Sequence, residues 1–335
     1  MICVYGAGSI GCYVGGSLAA AGAEVAFVGR RRLADEVAAH GLTLTDLHGA
    51  RLRVDAPRYE TVPDAVAEAD LVLVAVKSAA TADTAGQLAD RLRPGAVVVS
   101  LQNGLRNAAV LREKLPGATV LAGMVAFNVV RTGEGRFHRA TDGGIEVQDA
   151  PALDAVADLF ARAGLPLARR ADLTAAQAAK LLLNLNNAVN ALSGLPLKTE
   201  LSQRAFRRCL ALAQREALAA YKAAGIRPAK TVGLDSRLLP VVMGLPDAVF
   251  TRAAAKMLAM DPLARSSTWD DLEAGRPTEV DYLNGEIALL AAEGGLAAPV
   301  NERLTALVHE AEQGGRKDWT GRELLADLRR SARGR

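Results

Sequence analysis

The chain has 335 residues, half of them hydrophobic and 23% charged, with a formal net charge of +3. These values argue against a disordered chain and against a basic nucleic-acid binder, and no apolar run approaches the ~18 residues of a membrane span. Three cysteines (Cys3, Cys12, Cys209) and four scattered histidines (His40, His48, His138, His309) offer neither a disulfide framework nor a zinc spacing, so a cytoplasmic setting is expected.

At roughly 150 residues per domain the length predicts two domains. Met1 leads directly into Ile2-Cys3-Val4-Tyr5, without the basic start of a secretory signal. Ile2 to Tyr5 reads as a strand, Ile10 to Ala21 as a helix and Glu24 to Val28 as a second strand. The alternating apolar residues of Gly41 to Val54 suggest a small hairpin insertion. Strands at Asp70 to Val76 and Ala96 to Leu101 alternate with helices at Thr81 to Leu92 and Leu105 to Leu115, and Thr119 to Val130 is again strand-rich. Alternation of this kind predicts βαβ units and a parallel sheet. From Leu173 onward the pattern turns helical, with helices expected at Leu181 to Leu192, Ala205 to Ala224, Val280 to Ala292 and Leu304 to Glu312. The expected organisation is an α/β Rossmann-type domain over residues 1–170 and an all-α substrate domain over residues 171–335.

The first strand runs into Gly6-Ala7-Gly8-Ser9-Ile10-Gly11, a G-x-G-x-x-G opening a helix. Gly6 permits the tight turn, Gly8 lets a pyrophosphate approach the backbone and Gly11 lets the helix pack on the strand. The backbone N–H groups of Ser9 and Ile10 then face the phosphates from the helix N-terminus. At the end of the second strand an NAD enzyme usually places Asp or Glu for the ribose 2′-hydroxyl, whereas this chain has Gly29-Arg30-Arg31-Arg32. A forked guanidinium suits a 2′-phosphate, so the expected cofactor is NADP(H), with Arg30 the strongest of the three candidates. Lys77 follows Val76, and Gln102-Asn103-Gly104 follows Leu101. Both lie where an open α/β sheet binds its ligand, and Asn103 is placed to hold nicotinamide or substrate.

In the helical half, Lys180, Asn184 and Asn187 fall on one face of an expected helix whose other residues are Leu, Ala and Val. A lysine on a buried helix needs a partner or a cleft, and here it is one of 8 lysines against 32 arginines. The pair Ser266-Ser267 precedes Trp269-Asp270-Asp271, and Arg276-Pro277-Thr278-Glu279 follows. Ser267 to Asp270 reads as a helix start, and Glu279 as part of the first turn of the next helix.

These pieces in this order resemble the ketopantoate reductase family (2-dehydropantoate 2-reductase) over essentially the whole chain. The resemblance rests on Gly6-x-Gly8-x-x-Gly11, Arg30, Lys77, Gln102-Asn103-Gly104, Lys180-x-x-x-Asn184, Ser266-Ser267 and Arg276-Pro277-Thr278-Glu279-Val-Asp-Tyr. It implies NADPH-dependent reduction of ketopantoate to pantoate on the route to pantothenate and coenzyme A. It further implies Lys180 as the acid that protonates the new alkoxide, Glu279 as a second catalytic group, and Asn184, Asn190, Ser267 and Asn103 as substrate contacts. Family members commonly repeat an asparagine one turn after the first; this chain has Ala188 there, flanked by Asn187 and Asn190. The implied partner is a small 2-oxo acid, with no nucleic acid or membrane, and the chain is expected as a monomer or homodimer. The competing readings are an NADP-dependent reductase of another 2-oxo or β-hydroxy acid, a non-catalytic dinucleotide-binding regulator, and a reductoisomerase, for which no convincing carboxylate cluster for Mg²⁺ is seen.

Overall fold

A computed structural model describes residues 1–231, 233–254 and 264–333. Contacts divide the chain into two units, Met1–Leu173 and Thr174–Arg335.

The first unit is α/β. In chain order it contains β1 (Ile2–Tyr5), α1 (Ser9–Ala20), β2 (Val25–Val28), α2 (Arg31–His40), β3 (Leu42–Asp46), β4 (Arg51–Val54), β5 (Arg58–Glu60), β6 (Leu71–Val74), α3 (Thr81–Ala89), β7 (Val97–Ser100), α4 (Asn107–Lys114), β8 (Thr119–Val125), β9 (Val129–Gly133), β10 (Arg136–Arg139), β11 (Ile145–Gln148), α5 (Asp154–Arg162) and β12 (Leu167–Arg170). Eight strands form one sheet in the order β12-β11-β8-β7-β6-β1-β2-β5. From β8 through β5 all neighbours are parallel; β11 runs antiparallel to β8 and carries β12 parallel beside it. Side chains alternate across a strand, so Ile2 and Val4 join one core and Cys3 and Tyr5 the other. The chain passes from β1 to β2 on one side and returns to β6 on the other, which makes the carboxyl ends of β1 and β6 the switch point of the sheet.

The hairpin expected over Gly41 to Val54 is present as antiparallel β3 and β4. It is only part of a second sheet, ordered β4-β3-β10-β9. Leu42, Leu44 and Phe137 of that sheet pack with Tyr13, Val14 and Leu18 of α1. A Cβ on Gly16 would stand 2.9 Å from Leu44 Cδ1, so the helix and this sheet meet at close range.

The second unit is helical: α6 (Thr174–Asn184), α7 (Asn186–Ser193), α8 (Leu197–Ser202), α9 (Arg204–Ala223), α10 (Leu239–Met243), α11 (Asp247–Ala253), α12 (Ser267–Glu273), α13 (Asn284–Glu293), α14 (Pro299–Glu312) and α15 (Gly321–Arg333). α9 runs through its centre, packed by α10, α13 and α15. Two expected helices are each divided. The stretch Leu181 to Leu192 is interrupted at Leu185, and Val280 to Ala292 opens with a 3-10 turn, Val280–Tyr282, before α13 begins at Asn284. Among the described residues no helix is long and apolar enough to cross a membrane.

Candidate active site

In the first unit, Gly6 has φ +94°, and a Cβ there would lie 2.5 Å from Val76 N, so only glycine lets β1 and the loop after β6 meet. A Cβ on Gly11 would lie 2.6 Å from Gly6 O. Gly8 differs: its φ is −92°, which any residue adopts, and an added Cβ would meet nothing within 4 Å. Packing therefore does not explain the bare backbone at Gly8. The open space lies at the N-terminus of α1, a helix with no side-chain cap and no acid in its first turn. Its first N–H groups, from Ser9, Ile10 and Gly11, lack intrahelical acceptors and suit an anion. A dinucleotide pyrophosphate fits this cradle.

Beyond β2, Arg30 is the N-cap of α2, and Arg31 and Arg32 lie in the first turn. Cations there oppose the helix dipole, which favours negative charge at this end. Arg31 pairs with Asp35 at 3.0 Å. Arg32 faces Glu36, which also holds Arg131 in an ion pair. Arg30 is exposed and has no acidic partner among the described residues, so of the three it is the one available to a ligand phosphate.

A buried polar chain joins the loops after β6 and β7. Ser100 Oγ donates to Gln102 Oε1 (2.9 Å), Gln102 Nε2 to Thr81 Oγ1 (2.7 Å) and Thr81 Oγ1 to Asn107 Oδ1 (2.7 Å). Asn107 Nδ2 donates to Ser78 Oγ (3.1 Å) and to the Asn103 carbonyl (2.5 Å). Gln102 is thus structural. The Asn103 backbone is clamped, while its half-buried amide makes no hydrogen bond among the described residues. Lys77, half-buried, precedes the 3-10 turn Ser78–Ala80 beside this cluster.

In the second unit, Lys180 is half-buried near the end of α6. Burial lowers its ammonium from the usual lysine range to about 8, against the opposing pull of the Glu279 carboxylate. Asn184 closes α6, half-buried, with its amide in no hydrogen bond among the described residues. The break at Leu185 means that Asn187 and Asn190 belong to a separate helix, not to the continuous face expected.

Asn190 differs from its expected role as a substrate contact. It is fully buried; its Nδ2 donates to the Leu195 carbonyl (2.9 Å) and its Oδ1 accepts from Ser266 N (3.0 Å). Its amide holds the α7–α12 junction. The expected helix start also shifts by one residue: Ser266, not Ser267, is the N-cap of α12, its Oγ accepting from Trp269 N at 3.2 Å. The same hydroxyl donates to the Asn187 carbonyl (3.2 Å). Ser267 is left exposed in the first turn, accepting from Asn187 Nδ2 at 3.3 Å. Asn187 is therefore the asparagine whose side chain reaches a serine hydroxyl, whereas Asn190 holds the Ser266 backbone. Glu279 precedes the 3-10 turn and not a helix proper.

Beneath this junction lies Glu200, fully buried. Its Oε2 accepts from Asn186 Nδ2 at 2.9 Å, and Asn190 lies beside the carboxyl. Burial raises it to about 8, so it is a neutral acid at pH 7 despite the nearby Arg207. Among the described residues no cluster of three His, Cys, Asp or Glu is placed to hold a metal ion.

The family models "Ketopantoate reductase PanE/ApbA" and "Ketopantoate reductase PanE/ApbA C terminal" match residues 2–152 and 172–312. The chain belongs to the ketopantoate reductase family. A 2-dehydropantoate 2-reductase of Halobacterium salinarum is 33% identical over 94% of this chain and 99% of its own length. One from Caulobacter vibrioides is 31% identical over 76% of this chain and 82% of its own. Among solved structures, a PanE/ApbA family ketopantoate reductase of Ralstonia eutropha JMP134 superposes with a TM-score of 0.81 at 31% identity, covering 94% of this chain and 99% of that one. D-mandelate dehydrogenase shares the fold at a TM-score of 0.75 and 19% identity.

Three residues around this ketopantoate reductase site escaped the reading of the sequence: Ser266 as cap, Glu200 and His309. Glu200 had a signal, as the one acid between Asp172 and Glu216. Ser266 and Ser267 are chemically identical, and nothing local distinguishes cap from first turn. His309 lies far from Glu279 in sequence.

Proposed function

We propose that the chain reduces 2-dehydropantoate to pantoate with NADPH. The observation that carries this reading is Lys180: a half-buried lysine lowered to about 8 near Glu279, on the helix that also presents Asn184. A lysine near that value is protonated enough at neutral pH to give up a proton and acidic enough to do so readily. When bound, NADPH supplies the hydride that adds to C2. As the carbonyl π electrons move onto oxygen, the Lys180 ammonium stabilises the growing charge and transfers its proton. The product is the 2-hydroxy acid, and Lys180 is reprotonated from solvent. Asn184 orients the carbonyl, Ser267 binds the carboxylate end, Glu279 receives the terminal hydroxyl, and Asn103 holds nicotinamide or substrate. Gly6, Gly8, Ser9, Ile10, Gly11 and Lys77 hold the dinucleotide, and Arg30 takes its 2′-phosphate. The same reading places the protein in the cytoplasm as a monomer or homodimer.

The D-mandelate dehydrogenase structure contains NADH and anilino(oxo)acetate, so the fold by itself selects neither cofactor nor acid. A second reading, a different 2-oxo or β-hydroxy acid, draws on Ala188 and the engaged Asn190, which leave Asn187 as the second asparagine. The test is NADPH oxidation with 2-dehydropantoate, NADH in parallel, and a panel of 2-oxo acids. Fast turnover with NADPH and 2-dehydropantoate is expected. Faster turnover of another acid establishes the second reading, and equal use of NADH removes Arg30 from the phosphate role.

A further inference from the structure

We infer that His309, on α14, is a positioning residue for Glu279. His309 Nε2 meets Asp281 Oδ1 at 2.9 Å, and Nδ1 meets Glu312 Oε2 at 2.8 Å. Glu312 Oε1 in turn accepts the backbone N–H of Thr278 at 2.8 Å. Glu279 thus sits between two residues held by α14, Asp281 through the His309 imidazole and Thr278 through the Glu312 carboxylate that the same ring meets. Thr278 Oγ1 also accepts from Val280 N at 3.3 Å, which closes the turn.

The chemistry of the clamp follows from its donors. A neutral imidazole has one N–H, whereas both partners here are carboxylates that need a donor. Both bonds exist together only in the imidazolium, and the two carboxylates raise the His309 pKa accordingly. Asp281 and Glu312 are the charges that meet the ring. Nearby acids on the elements packed around α14 are placed elsewhere. Glu216 of α9 accepts from Val300 N and Asn301 N, Asp327 of α15 takes Arg303 and Arg330, and Glu286 of α13 is buried near Tyr221. The residues of α7 carry no ionisable side chain. As pH rises through the His309 pKa one bond is lost and two carboxylates are left facing a neutral ring. The segment carrying Glu279 then loosens.

This inference rests on the proposed substrate role of Glu279. The test compares wild type, His309→Gln and His309→Arg, reading KM and kcat for the oxo acid across pH, together with hydrogen exchange at the Thr278 amide. His309→Gln is expected to raise KM by about threefold to tenfold, the scale of one ordinary net hydrogen bond, with kcat little changed. Wild-type KM climbs as the imidazolium deprotonates, the His309→Gln profile is flat, and His309→Arg, a permanent cation, restores the low KM. A His309→Gln enzyme with wild-type KM and pH profile overturns the inference. If His309→Gln does not fold, a wild-type KM that is flat across the imidazole titration overturns it equally. Absence of wild-type turnover with every oxo acid refutes the enzyme reading instead. The clamp is then decided by the Thr278 amide, which exchanges faster in His309→Gln if the inference holds and at the wild-type rate if it does not.

Discussion

The two units build their candidate sites from different materials. In the first, the site is backbone: a turn of three glycines, a helix N-terminus and one strand-end arginine. In the second, it is side chains on α6, α7, α12 and the turn before α13, aligned by buried amides and a neutral acid. A backbone site tolerates no added atoms but needs few partners. A side-chain site needs every partner present, because buried polar groups are costly when left unpaired.

The largest expected effect falls on the side-chain site. Lys180→Ala is expected to lower kcat by ~10² or more while dinucleotide affinity is retained, which steady-state kinetics and a binding titration separate. The reaction direction gives a second handle. Reduction needs the ammonium, so kcat/KM for the oxo acid is expected to fall as pH rises through about 8, whereas oxidation of the hydroxy acid rises through the same midpoint. A pH profile without that midpoint removes Lys180 from the acid role.

The glycines sharpen the comparison from the other side. Gly8→Ala adds a Cβ that meets no protein atom within 4 Å, so melting temperature should hold while dinucleotide affinity drops. Gly6→Ala forces φ +94° on alanine and a contact of 2.5 Å with Val76 N, so it should destabilise the fold by ~1–3 kcal/mol or more. Equal loss of stability in both variants would mean that the loop at Gly8 is also a packing element.

Smaller effects probe the buried support. Asn190→Ala removes one hydrogen bond to Ser266 N and one to the Leu195 carbonyl. A loss of ~1–3 kcal/mol in stability is expected, with a modest rise in KM as Ser267 loses its placement. Glu200 makes a pH prediction with a definite sign. Its folded-state pKa, about 8, lies above the unfolded value of 4.5, so the folded state holds the proton longer. Stability is full below about 4.5, falls as pH rises through about 8, and is flat beyond. Glu200→Gln, neutral at every pH, should flatten that slope in denaturant titrations. An unchanged slope would assign it to another group.

Much of the first unit was legible because its determinants are local. Gly6 to Gly11 lie in one turn, the strands Leu71–Val74 and Val97–Ser100 are continuous apolar runs, and Arg30 stands at the end of the second strand. Less of the second unit could be read. Lys180-x-x-x-Asn184 was visible as helical spacing, but the break at Leu185 was not, since Leu185 is an ordinary helix former inside a Leu-rich run.

The sequence by itself determined the alternation of strands and helices in the first unit, the dinucleotide turn, the family and the candidate residues for the chemistry. Only the tertiary structure decided which asparagine is structural, which serine caps α12, that Glu200 is neutral and that His309 reaches the turn carrying Glu279. The physical reason is distance along the chain. A glycine turn is specified by the dihedral freedom of its own residues, whereas the state of a buried amide, acid or imidazole depends on partners brought to it from 14 to 76 positions away.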